Sequence, residues 1–290
     1  MAKIILTALF PLLICNSFGQ EILKHNFAPK LGVCTSITNH ELVAAAGFDY
    51  IEEGVQRFLI PDKPEEDFQK NLSVLKESTI PILACNGFLP GRLKTTGPNP
   101  QHEQILEYAE IAFRRANEAG IKRIVFGSSG SRNFPEGFEK TKAVQQFTEL
   151  LRKMGPVAQK YDVIVVIEPL RQKESNIINR VDEAFYLALK VNHPNIQVLG
   201  DVYHMLRENE APASLIQAKK MLKHMHLAEV EKRTAPGLMG DNFLPYLQAL
   251  KISDYQGGIS IEGSWGNKSD YEKNLIIARS YLQGQINALN

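Results

Sequence analysis

The chain is short of several things, and each shortage removes a class of protein. Cysteine is one, with three in 290 residues. A disulfide-stapled scaffold needs far more, so an ordinary hydrophobic core must hold this chain together. Charge of one sign is another. Lys and Arg total 33 against 32 Asp and Glu, a formal net of +1, with no long run of either sign. Nucleic-acid binders carry a basic stripe or patch, so no nucleic-acid partner is expected. Linkers and low-complexity segments are missing too. No glycine-rich phosphate loop follows the first strand-like run, Leu31–Thr35, which argues against a doubly wound nucleotide-binding sheet. Beyond the N-terminus no apolar run approaches the roughly 20 residues of a membrane-spanning helix, so no stable membrane insertion is expected.

The one long apolar run is Ile4–Ile14, after Lys3 and before the small residues Ser17 and Gly19. This is the pattern of a secretory signal. Residues 1–19 are therefore expected to be a signal peptide and 20–290 a single catalytic domain, exported to the periplasm or secreted. A lipid anchor on Cys15 is the lesser alternative, because Ile14 is bulky where such sites take a small residue. Cys34 and Cys85 then remain. They fall on the first and third strands, beyond the roughly 7 Å reach of a disulfide, and are expected as buried free thiols.

Short β-branched runs alternate with longer amphipathic stretches, the pattern of βα units around a parallel sheet. Eight strands are expected: Leu31–Thr35, Tyr50–Gly54, Ile80–Asn86, Arg123–Gly127, Val163–Glu168, Ile196–Asp201, Leu222–Leu227 and Gly258–Glu262. Between them, apolar residues recur at three- and four-residue spacing. In Gln101–Ala119, Ile105, Tyr108, Ala109 and Ala112 share one face, and Gly120 ends the helix. Other helices are expected near 39–46, 65–77, 138–160, 180–191, 212–220, 242–250 and 270–286. Eight such units in one domain predict a (β/α)8 TIM barrel. The Pro90–Pro100 segment reads as a long loop at the mouth, either a lid or an uninvolved surface loop.

Polar residues recur where the last four strands end: Glu168, Asp201, His226 and Glu262. A barrel's active site forms at this face, from the ends of several strands. Three carboxylates converging there with an imidazole repel one another unless a cation sits among them, and a divalent ion with oxygen and nitrogen ligands meets that need. Parity agrees: with Glu168 inward, Val166 and Ile164 face inward, while Ser260 shares the side of Glu262 and His224 that of His226. His226 lies nearer the mouth and is taken as the ligand. His224, one layer deeper, reads as a core histidine.

In these motifs the chain resembles the xylose-isomerase-like TIM-barrel superfamily of sugar isomerases and epimerases. Glu168-Pro, Asp201-Val-Tyr-His204, His224-x-His226 and Ser-Ile-Glu262-Gly resemble the D-tagatose/D-psicose 3-epimerases and hydroxypyruvate isomerases. The resemblance implies one divalent metal, Mn²⁺ first, with Mg²⁺, Co²⁺ or Zn²⁺ as alternatives, on Glu168, Asp201, His226 and Glu262. It implies that Glu168 and Glu262 also form the acid/base pair and that His204 touches substrate. The implied substrate is a ketose or keto-sugar, and a homo-oligomer is compatible with it. One departure stands out. The ketose epimerases have an arginine six positions after the metal histidine, where this chain has Lys232, followed by Arg233. Both cations, with Trp265, are taken as candidate substrate contacts.

Competing readings use the same residues. An endonuclease-IV-like repair enzyme needs further histidines and acids, but strand three ends in Asn86 and strand four in Gly127-Ser128-Ser129. A non-catalytic sugar-binding barrel and a metal-dependent lyase or dehydratase acting on an oxidised sugar remain as alternatives.

Overall fold

The computed structural model describes residues 26–290; the expected signal peptide lies outside the described residues. Eight strands, β1 (Lys30–Cys34), β2 (Tyr50–Gly54), β3 (Ile82–Asn86), β4 (Arg123–Phe126), β5 (Ile164–Ile167), β6 (Ile196–Asp201), β7 (Leu222–Leu227) and β8 (Gly258–Ile261), close into a barrel in chain order. Every ladder is parallel, including β1 with β8. The helices are α1 (His40–Ala45), α2 (Glu65–Glu77), α3 (His102–Glu118), α4 (Ser129–Arg132), α5 (Lys140–Lys160), α6 (Val181–Val191), α7 (Val202–Arg207), α8 (Ala213–Ala218), α9 (Leu244–Ile252) and α10 (Tyr271–Asn287). The expected TIM barrel is the fold, and no helix of the described residues is long and apolar enough to cross a membrane.

Strand alternation divides the core in two. Val165 and Ile167 of β5, Met225 and Leu227 of β7, and Ile259 and Ile261 of β8 join the large layer between sheet and helices. Val166 packs instead with Val125, Leu199 and the partly buried Ile164, inside the barrel. Under β1, β2, β7 and β8 the interior is aromatic and polar. The Tyr50 ring fills the space left by two glycines: a Cβ on Gly32 or Gly258 would lie 2.2 or 2.5 Å from it. Its hydroxyl is 2.9 Å from Ser260 Oγ, which is 3.2 Å from His224 Nε2.

Several details differ from expectation. β3 begins at Ile82 rather than Ile80, because Pro81 has no N–H for the ladder. The 39–46 helix splits, since Ser36 accepts from Thr38 N at 3.3 Å and starts a 3₁₀ turn at Ile37. A π-helical turn, Val55–Leu59, follows β2 and ends on Ile60 at φ 38°. Its free carbonyls meet buried Arg115 of α3, which donates to the oxygens of Leu59, Ile60 and Lys63 at 2.8, 2.6 and 3.0 Å and pairs with Glu65. Cys34 and Cys85 are both free, but Cys34 is half-buried rather than buried.

The Pro90–Pro100 loop is pinned down along its length. Thr95 N donates to Ser131 O at 3.0 Å, Thr96 Oγ1 to Arg132 O at 2.8 Å, and Gly97 N to Gln146 Oε1 at 2.9 Å. Of the two readings, the fixed loop fits these bonds better than the lid. At the opposite end of the barrel the chain is clasped: Phe27 N donates to Asn290 Oδ1 at 2.8 Å, and Asn290 Nδ2 returns a bond to Phe27 O at 3.0 Å.

Candidate metal and active site

The acidic cluster is assembled by strand ends that continue the ladders. Glu168 N donates to Phe126 O and Glu262 N to Leu227 O, so both side chains keep the inward parity of their strands. Asp201 closes β6 and caps α7, accepting from His204 N at 3.2 Å. Gly127 makes room for Glu168: a Cβ there would lie 2.0 Å from Glu168 Oε2. Buried Arg132 donates to the Glu168 carbonyl at 2.8 Å.

His226 stands at the centre with its two nitrogens in different surroundings. Nε2 is 2.9 Å from Glu52 Oε1. Nδ1 faces three carboxylates: Glu168 at 3.1 Å, Glu262 at 3.4 Å and Asp201 at 3.9 Å. One donor atom from each of Glu168, Asp201, His226 and Glu262 lies within 4.8 Å of the others.

This donor set fits a hard divalent cation, with three carboxylate oxygens and one imidazole nitrogen on four successive strand ends. Electrostatics point the same way. Burial and then the Glu262 charge raise the Glu168 carboxyl above its ordinary range. Burial works against a charged His226, yet Glu52 and then Glu262 outweigh it and push the ring well upward. Arg233 offsets part of the cluster's negative charge, and a proton or a metal ion on Nδ1 would supply more.

A cavity of about 310 Å³ opens above the cluster, lined among others by Gln56, Asn86, Glu168, His204, Arg233 and Glu262. His204 Nδ1 accepts from Arg171 N at 3.2 Å. Its Nε2 has no hydrogen-bond partner among the described residues and lies 3.6 Å from Asp201 Oδ2. Arg233 ion-pairs with Glu262, approaches Asp201 at 3.4 Å, and lies over the Tyr203 ring at 4.7 Å.

Comparison with known proteins completes the picture. A family model described as "Xylose isomerase-like TIM barrel" matches residues 40–282. The chain belongs to this family. It is 28% identical over 117 residues to 3-dehydro-D-guloside 4-epimerase of Escherichia coli, covering 40% of this chain and 44% of that one. A probable ketose 3-epimerase of Synechocystis is 24% identical over 189 residues, 63% and 64% of the two chains. These two matches thus span less than two thirds of either relative. Hydroxypyruvate isomerase of Escherichia coli matches more fully, at 24% over 82% of this chain and 91% of that one. Among solved structures, a 3-keto-D-glucoside 4-epimerase from E. coli superposes with TM-score 0.73 at 20% identity, covering 87% of this chain and all of that one. The relatives are sugar isomerases and epimerases.

Within this xylose-isomerase-like framework, the Lys232–Arg233 departure has a structural explanation. Both residues adopt left-handed backbone, at φ 54° and 51°, an uncommon conformation for non-glycine residues. The two consecutive turns send the neighbouring side chains in different directions. Arg233 enters the mouth. The Lys232 side chain is 77% exposed, lies 3.9 Å from Glu231 and is not part of the cavity lining. Trp265 is also absent from the cavity lining. It packs edge-on against Tyr271, centroids 5.6 Å apart.

Four residues escaped the sequence reading. Glu52 lies in the middle of β2, beneath His226. Asn86 Nδ2 donates to Glu262 Oε1 at 3.1 Å. Arg132 carries no acidic partner in sequence to mark it. Glu229 is wholly buried and accepts from the backbone N–H groups of Gly237, Met239, Gly240 and Asp241, at 2.6 to 3.3 Å, and from the Thr234 hydroxyl. Glu52 carried a signal: it is inward by parity on a strand otherwise apolar at Tyr50 and Ile51.

Proposed function

We propose that the chain is a divalent-metal-dependent sugar isomerase or epimerase acting by proton transfer on a ketose or keto-sugar. The observation that carries this reading is the convergence of Glu168, Asp201, His226 and Glu262 at the barrel mouth. These four residues would hold the ion, and Mn²⁺ is our first choice. When bound, such an ion supplies Lewis acidity to a substrate carbonyl and its neighbouring hydroxyl.

The remaining work falls to side chains. One glutamate takes the proton from the carbon beside the carbonyl, and the second returns one. Return to the opposite face gives an epimer; return to the adjacent carbon gives an isomer. Glu262 accepts Asn86 on one oxygen and Arg233 on the other, so it is fixed in place with both oxygens acting as acceptors. His204, which lines the cavity with its Nε2 unpartnered among the described residues, and Arg233 are placed to grip substrate oxygens and to balance negative charge developing there. Lys232 has no part in this scheme.

The test is to load the protein with Mn²⁺ and incubate it with ketoses and keto-glycosides in D₂O. Deuterium at an exchangeable carbon is expected, with a new epimer or isomer. Neither exchange nor product with any substrate, despite bound metal, would favour a non-catalytic sugar-binding barrel. Glu168→Gln and Glu262→Gln should each abolish turnover, with metal content measured alongside. Near-normal turnover in either variant with metal bound removes that residue from the acid/base pair. The lyase alternative, on an oxidised sugar, starts from the same proton loss. Proton loss beside a ring ketone leaves the substituent one carbon further on able to depart, so an unsaturated sugar and a released alcohol would identify it. Export by residues 1–19 is part of the proposal, and N-terminal sequencing of the secreted protein tests it.

A further inference from the structure

Beneath the metal-binding cluster lies a buried polar column that the proposed chemistry does not use. Its centre is Glu52, fully buried, with each oxygen facing a different histidine: Oε1 lies 2.9 Å from His226 Nε2 and Oε2 lies 2.6 Å from His224 Nε2. The column continues through Ser260 to Tyr50. An isolated carboxylate at this depth would be very costly. Its two imidazole neighbours give each of its oxygens a hydrogen-bond partner.

The geometry points to Glu52 as the positioning residue for the metal-binding histidine. An ionised carboxylate only accepts hydrogen bonds, so both histidines must present Nε2–H to it. With the His226 proton committed to Nε2, its Nδ1 lone pair is left facing Glu168, Asp201 and Glu262. The second histidine matters because it holds the other oxygen, which stops the carboxylate from rotating. Tyr50, wedged over Gly32 and Gly258, backs the arrangement from below. A carboxylate bonded to the remote nitrogen of a metal-binding imidazole fixes its tautomer and raises its basicity, and removing such a partner typically weakens metal binding about 10- to 100-fold.

This inference rests on the metal site proposed above, and one experiment separates the two. Mn²⁺ is titrated into the full chain and into Glu52→Gln, with dissociation constants read by chelator competition. Glutamine keeps the shape but offers one acceptor and one donor, so one histidine must lose its bond or change tautomer. We expect Glu52→Gln to bind Mn²⁺ about 10- to 100-fold more weakly. His224→Gln, which leaves the Glu52–His226 bond in place, should show a smaller loss. Mn²⁺ binding to Glu52→Gln within threefold of the parent overturns the role of Glu52 and leaves the metal site standing. No binding by the parent overturns both. Should Glu52→Gln fail to fold, Glu52→Asp serves: its charge is kept but its reach is one methylene shorter. The proposal expects weakened Mn²⁺ binding there, and parental affinity overturns it.

Discussion

A single missing side chain decides where the Glu168 carboxylate can stand. Gly127 does not need left-handed backbone; it is needed because Glu168 Oε2 occupies the place of its Cβ. Gly127→Ala should therefore push the Glu168 carboxylate away from His226 while leaving the strand paired. A displacement near 1 Å at a reacting group can cost on the order of 100-fold in rate. The expected outcome is a kcat/KM loss of about that size with a nearly unchanged melting temperature, measured by steady-state kinetics and thermal unfolding. Parental activity would show that Glu168 can adapt or does not act. The sequence reading could not see this constraint, because Gly127-Ser128-Ser129 looks like any loop start. It did reach the glutamate itself, because strand parity and strand-end position are written in the chain.

Two elements are built around buried charges. The segment 229–241, which presents Arg233 to the mouth, folds around the Glu229 carboxylate. That carboxylate receives four backbone N–H groups and one hydroxyl. Glu229→Gln replaces one acceptor oxygen with a donor that faces other donors, at a cost of about 1–3 kcal/mol for the groups left unpaired. Faster hydrogen exchange across 234–241 is expected, with a higher KM as Arg233 loosens. Unchanged exchange would mean that the loop is held by other contacts. The second element is the π-helical turn after β2, tied by Arg115 and Glu65. Hydrogen bonding from Arg114, opposed by burial and helped by Arg115, holds the Glu65 carboxyl down to about 2 from its ordinary 4.5. A depressed carboxyl adds stability that is present above pH 4.5 and lost as pH falls toward 2. Glu65 is substantially exposed, so the effect is modest. Glu65→Gln should flatten the fall in stability between pH 4.5 and 2, followed by urea unfolding at several pH values. An unchanged slope would show that the pair contributes nothing.

For the whole molecule, the barrel was legible because alternating βα units repeat eight times, and repetition outweighs errors at the ends of single elements. The missed pieces share one physical cause. Glu52, Asn86, Arg132 and Glu229 act through partners 5 to 176 residues away in sequence; parity marks Glu52 as inward, but no local pattern names the partners. Spacing after His226 brought both Lys232 and Arg233 to the mouth as candidates; two left-handed residues in succession turn Arg233 into the cavity and leave Lys232 exposed beside Glu231.

The clasp between Phe27 and Asn290 fixes an orientation. Residues 26–29 enter β1 at its N-terminal end, and the clasp holds both ends of the described chain at that pole. The cavity with Glu168 and Glu262 opens at the other pole. Phe27 and Asn290 therefore both stand behind the barrel. A fusion partner or a solid support attached on that side would leave the mouth facing the medium, so immobilisation through Asn290 should leave the path of an incoming sugar clear.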